Sequence, residues 1–165
     1  MGKLIVILLC TLFIVGCNNP QSMEEVFHSE MKRSDNVQDY NIVEVVEEDN
    51  VIVFTSETNT PSIDPHPKLA YYKDSESGWS RSLMAVCRMD GWVASKTSGA
   101  ESAPYMMCGT LTEPRFQEVM VDNGETNLVE LDDGFRRVWY TLSEQLNVEI
   151  KVKLTDGTEE LLKKE

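Results

Sequence analysis

The sequence predicts a mainly β domain of the α+β kind. One N-terminal helix leads into an antiparallel meander of about eight strands, forming a curled sheet or a sandwich. Three observations carry that reading. Apolar residues recur at helical spacing only between Gln21 and Arg33. Short runs rich in Val, Ile, Phe and Thr then follow one another at hairpin spacing. Near the end, Val148, Ile150, Val152 and Leu154 alternate strictly with Glu149, Lys151 and Lys153.

In the helix, Met23, Val26, Phe27 and Met31 share a face, while Glu24, Glu25, Glu30 and Lys32 lie elsewhere. Ser22 is the expected N-cap, with Glu25 three residues on to complete a capping box. A polar loop over residues 34–39 comes next. Residues 41–46 and 51–55 flank the charged turn Glu47-Glu48-Asp49-Asn50 as a first hairpin. Three prolines make residues 56–67 a loop. Residues 69–73 and 79–87 form a second hairpin. Residues 88–104, with Gly91 and Gly99, are expected to form a long loop before a strand at 105–110.

The last third carries the clearest local signals. Residues 116–121 and 126–131 surround Asp122-Asn123-Gly124-Glu125, and Asn-Gly is a strong hairpin signal. A turn at Asp132-Asp133-Gly134 precedes a strand over 135–142. The alternating strand then turns at Asp156-Gly157 into a short strand around 159–162. Alternation of this kind places one face of the strand in the core and the other in water.

The first sixteen residues differ from the rest. Lys3 supplies a positive start, and Leu4 to Val15 is apolar except for Thr11. That length suits the core of an export signal and falls short of the about 20 residues a membrane-spanning helix needs. The run ends at Ile14-Val15-Gly16-Cys17, followed by the polar Asn18-Asn19-Pro20. This tetrad resembles the lipobox of bacterial lipoproteins. The family more often has Leu three residues before the cysteine and Ala or Ser two before, where this chain has Ile14 and Val15. The resemblance implies removal of residues 1–16 and diacylglyceryl attachment at Cys17. A lipidated tether over 17–22 and a single β-rich domain over 23–165, outside the cell membrane, would then remain. Two acyl chains hold a protein stably at about 0.8 kcal/mol per buried methylene.

Without residues 1–16 the chain keeps 149 residues, enough for one core. It then has 14 basic against 28 acidic side chains. Such an excess opposes nucleic-acid binding, which depends on neutralising phosphates, and broad docking onto anionic lipid. The acids are spread along the chain as a solvated surface would have them, with a cationic partner as the alternative. Cys10 leaves with the signal and Cys17 is spent on lipid. Cys87 and Cys108 remain, an even pair that an oxidising compartment favours joining. Closing that loop would stabilise the fold by roughly 3 kcal/mol in the chain-entropy model. Two buried free thiols are the other possibility.

Chemistry-bearing motifs are sparse. The two histidines, His28 and His66, sit in no recognisable nucleophile frame, and no Gly-x-Ser-x-Gly is present. Two cysteines and two distant histidines lack the spacing of a zinc site. Asp122 to Glu125 does not extend to the twelve-residue frame of a calcium-binding EF-hand. The aromatic residues Trp79, Trp92, Trp139, Tyr71, Tyr72, Tyr105 and Tyr140 suggest a ligand surface or core packing. Trp139 and Tyr140, being adjacent on a strand, must face opposite ways. Trp92, in the loop expected between the cysteines, is the candidate binding residue.

Over residues 21–165 the layout also resembles small exported lipoproteins of Gram-positive bacilli, a group with no assigned activity. The shared features are the hairpin Ile42 to Phe54, the Gly78-Trp79 pair, and the run Asp133-Gly134-Phe135-Arg136-Arg137-Val138-Trp139-Tyr140. The expectation is therefore a membrane-anchored, non-enzymatic module without a cofactor. It would bind an envelope protein or a cell-wall component through the loops 56–67 and 88–104. A binder of a small solute or metal ion is the alternative.

Overall fold

The computed structural model describes residues 22–35, 39–48, 51–59, 66–74, 78–97, 104–122 and 124–164. The expected export signal, Cys17, nearly all of the expected tether, and residues 60–65 and 98–103 of the two expected binding loops lie outside these residues. The chain separates into two compact units, Met1–Gln38 and Asp39–Glu165, taken here in turn.

In the first unit, helix α1 spans Met23–Glu30. Its start is the expected capping box. Glu25 N–H donates to Ser22 Oγ at 3.2 Å, and Ser22 N–H donates to Glu25 Oε2 at 3.1 Å. The helix is shorter than its apolar spacing suggested, because Met31–Asp35 widens into a π turn.

The second unit is built from thirteen strands among the described residues. β1 (Tyr40–Glu48), β2 (Val51–Thr58), β3 (Lys68–Lys73) and β4 (Ser80–Val86) make one antiparallel sheet in that order. A second sheet has the order β13-β5-β6-β10-β9. Its strands are β5 (Gly91–Lys96), β6 (Tyr105–Leu111), β9 (Asn127–Glu130), β10 (Arg137–Ser143) and β13 (Lys163–Lys164). The third has the order β12-β11-β7-β8, from β7 (Phe116–Val121), β8 (Gly124–Glu125), β11 (Ile150–Leu154) and β12 (Glu159–Leu161). The mainly β character and the one short α-helix among the described residues agree with the sequence. A single meander of about eight strands does not: the strands are more numerous, they form three sheets, and β13 runs parallel to β5.

The second sheet is central because its two middle strands are apolar on both faces. Along β6, Met106 and Cys108 belong to one buried cluster while Met107 and Leu111 belong to another. Along β10, Val138 and Tyr140 join the first cluster and Trp139 the second. Since successive side chains on a strand point to opposite faces, these clusters lie on opposite sides of the sheet. The first is completed by Val53, Leu69, Tyr71 and Ala85 from the β1–β4 sheet and by Cys87 just after β4. The second is completed by Phe116, Val119, Ile150, Val152 and Leu154 from the β7–β11 sheet.

Gly109, between these faces on β6, sits at a close approach of backbone. A Cβ there would stand 2.1 Å from the Gly91 carbonyl oxygen and 2.7 Å from Trp139 Nε1. Cys87 follows β4 and Cys108 lies on β6, so the pair links the first sheet to the central one. Their sulfurs stand at disulfide distance, 2.29 Å, with Cα atoms 5.2 Å apart. Arg136 adds a second link, its Nη2 donating to Glu57 Oε2 on β2 at 2.9 Å.

Candidate functional site

The C-terminal segment changes sheets. At Asp156-Gly157 the chain turns sharply, with Gly157 at φ 85° and Asp156 Oδ1 accepting from Thr158 N–H at 2.9 Å. β12 then pairs antiparallel with β11, as far as Lys151 opposite Leu161. Leu162 is the corner. Its N–H donates to the Ile150 carbonyl at 2.9 Å, and its own carbonyl accepts from Trp92 Nε1 at 3.2 Å. Beyond it, Lys163 and Lys164 lie parallel to Gly91 and Trp92. The Lys164 ammonium sits 5.0 Å from the centre of the Trp92 ring, within cation–π range.

This corrects the expectation for Trp92. It is not held exposed in a loop between the cysteines. It lies on β5 and is buried, because β6 on one side and the C-terminal segment on the other complete a sheet around it. The residues taken as the two binding loops are corrected in the same way, since Ser56 to Thr58 belong to β2 and Gly91 to Lys96 to β5. Of the other aromatic residues weighed as a ligand surface, Tyr71, Tyr72, Trp139 and Tyr140 are buried, and Trp79 and Tyr105 half-buried. They pack rather than form a patch.

Where the C-terminal segment parts from β11, an open cleft of about 450 Å³ forms. Its walls are Leu146 to Ile150 on one side and Leu161, Leu162, Lys164 and Trp92 on the other. Two of the largest exposed apolar side chains of the unit stand here, Leu146 at 38% and Leu161 at 64% exposure. The charged groups around it are largely matched. Lys151 Nζ reaches Glu149 at 2.9 Å and Glu159 at 3.6 Å, and these carboxylates hold its amine above its usual range. Sequence reasoning missed this cleft, because Leu161 and Leu146 are 15 positions apart and only the sheet switch brings them together.

Other concave places are lined differently. A small cavity of about 50 Å³ between Val53, Tyr71, Met106 and Tyr140 has room for one or two waters, at ~30 Å³ each. Burial there raises the Tyr71 phenol above its ordinary pKa. A recess of about 340 Å³ carries Asp122, Glu125 and Glu144 with Thr141 and Ser143. Among the described residues, no three His, Cys, Asp or Glu side chains come together to hold a metal ion.

His28 Nε2 is 3.5 Å from Glu24 on α1, and His66 Nε2 is 3.3 Å from Arg88 Nη1. Cys87 and Cys108 face each other. No helix among the described residues is long and apolar enough to cross a membrane. Comparison with protein-family models, curated proteins and solved structures gave no match.

Proposed function

We propose that this chain is a lipoprotein, held through lipid on Cys17 at the outer face of a cell membrane, and that its β unit is a non-enzymatic module for binding another envelope component. The observation that carries the anchoring is the ordered series Lys3, Leu4 to Val15, Gly16-Cys17 and then Asn18-Asn19. Charge, apolar run, small residue and cysteine occur in the order that export, lipidation and cleavage require. The paired Cys87 and Cys108 support it, since disulfides persist outside the reducing cytosol.

Binding rather than catalysis is favoured by what the cleft offers. Its walls are Leu146, Val148, Ile150, Leu161, Leu162 and Trp92 with the polar Asn147, Glu149 and Lys164, and they hold no nucleophile–base pair. An apolar recess with few polar groups recognises shape and surface, and activates nothing.

The test is to express the full chain with a radiolabelled fatty acid. Label should enter the protein and be absent from Cys17→Ala, which should also run at the mass of the uncut chain. Cross-linking in intact cells of origin should then yield a partner that the Cys17→Ala chain captures less. Label in both forms, or in neither, refutes the anchoring.

A further inference from the structure

We infer that the free edge of β1 receives an extended peptide with two apolar residues between two lysines, which adds a strand to the first sheet and sets its lysines against Glu44 and Glu47. This rests on the reading of a protein-binding module and deepens it, by naming a surface and the chemistry of the partner. It does not depend on the lipid anchor.

The first support is an open strand edge. β1 is nine residues long and ends its sheet, pairing on one side with β2. In an antiparallel pair every second residue turns its N–H and carbonyl away from the partner. Among the described residues, no hydrogen bond joins the other side of Asn41 to Glu47 to another segment. The remaining outer strands are shorter: β4 has seven residues, β9 four, β12 three, and β8 and β13 two each. A bulge between Ile42 and Glu44 bends the start of β1, but from Glu44 to Glu48 the register runs unbroken against Thr55 to Val51. That regular stretch is a template for strand addition.

The second support is what the stretch presents. Glu44, Val45 and Glu47 are exposed, Val45 at 42%, and Val46 is half-buried. Side chains directly opposite on neighbouring strands interact, so an added strand meets acid, valine, valine and acid in turn. That order is the same read in either direction and suits a parallel or an antiparallel guest.

The third concerns charge. Several carboxylates of this unit are already matched, Glu57 by Arg136, Glu118 by Lys153, and Glu149 and Glu159 by Lys151. Glu44 and Glu47 take part in no ion pair among the described residues, and β1 has no lysine or arginine. A second copy laid edge to edge would crowd glutamates along the seam, which disfavours self-pairing. Lysines on a guest strand supply the missing cations, and the formal net charge of −13 draws such a guest in.

The experiment uses the full chain in phosphatidylcholine nanodiscs, with empty discs as the blank. Fluorescein-labelled peptides with the cores Lys-Val-Val-Lys, Glu-Val-Val-Glu and Lys-Ser-Ser-Lys are titrated by anisotropy. The first should bind about tenfold or more tightly than either of the others, the scale of two partly buried valines or of reversed charge pairs. N-methylation of both its valines should weaken it comparably, because one of two adjacent amides must face β1. Glu44→Lys with Glu47→Lys should reverse the preference, so that the glutamate peptide binds more tightly than the lysine–valine one. Glu125→Lys with Glu144→Lys changes net charge equally, at exposed positions away from β1, and should leave the preference as it was. No binding above the blank overturns the inference, as does equal binding of the valine and serine peptides or of the N-methylated form. An unchanged preference in the β1 variant, or a reversal in the control variant, overturns it too. None of these results bears on acyl labelling of Cys17 or on cross-linking in cells, so the proposals fail separately.

Discussion

Trp92 and Leu162, 70 positions apart, are joined by a hydrogen bond of 3.2 Å from the indole N–H to the main-chain carbonyl. That bond holds the corner at which the C-terminal segment leaves the outer sheet and caps the edge of the central one. Both residues are buried, so the donor and the acceptor are each costly to leave unmatched.

Trp92→Phe keeps most of the ring and removes the donor. It should lower stability by about 1–2 kcal/mol and speed amide hydrogen exchange at Lys163 and Lys164 more than in β10. Chemical denaturation and exchange measured by mass spectrometry read the two effects. Uniform loss of protection across the unit would show that the bond does not specifically hold the corner.

Gly109→Ala should be severe. The added methyl would meet the Gly91 carbonyl oxygen at 2.1 Å, a backbone atom that cannot swing aside, and the Trp139 indole at 2.7 Å. Overpacking of this kind costs about 1–3 kcal/mol or more, and here two strands and a central tryptophan must shift together. The expected outcome is a fall in thermal midpoint of about 10 °C or more, or failure to accumulate as folded protein. A midpoint within about 2 °C of the parent would contradict the close approach.

Asp133 provides a pH dependence of defined sign. Burial works to raise its pKa, but hydrogen bonds from the Arg136 main chain and side chain and from Phe135 N–H outweigh it, and the carboxyl ionises below its ordinary 3.8. A carboxylate with a lowered folded-state pKa contributes stability above its unfolded value, and loses it as pH falls through the folded one. Asp133→Asn should therefore be less stable than the parent near pH 6, and the gap should be narrower at a pH below 3.8. A gap that is the same at both values, read from urea midpoints, would rule out this assignment.

Arg136 ties that turn to the first sheet through Glu57, with both side chains only 12% and 13% exposed. Arg136→Met strands a half-buried carboxylate and should cost about 2–3 kcal/mol, toward the lower end for breaking a buried pair. Adding Glu57→Gln should recover part of that loss. If the double variant is simply additive in denaturation experiments, the two side chains do not cooperate.

Replacing Cys87 and Cys108 together by Ala should lower stability by roughly 3 kcal/mol, and the parent under reductant should approach the same value. Identical midpoints with and without reductant would mean that the thiols remain unjoined.

How far the chain could be understood from its residues differs by element. Helix α1 begins where Ser22 and Glu25 predict, because a capping box is satisfied within four residues. β7 matches its expected span, and β11 buries Ile150, Val152 and Leu154 while Lys151 and Lys153 remain partly exposed. In these places one face meets water, and the alternating pattern shows which face is buried.

Long-range packing decided the rest. Met106-Met107-Cys108 and Val138-Trp139-Tyr140 do not alternate, because sheets cover both faces of β6 and β10, and a continuous apolar run does not reveal what lies on either side. Residues 91–96 were expected as loop, since their glycine and polar neighbours imitate one, and pairing with β6 and β13 makes them a strand. β13 has two residues, too few for any period, and exists only because Leu162 turns the chain from one sheet to another. The cleft beside Trp92 follows from that turn. Local chemistry thus specified the strands with one wet face, while the burial of the central sheet and the course of the last six described residues arose from contacts between positions far apart in the chain.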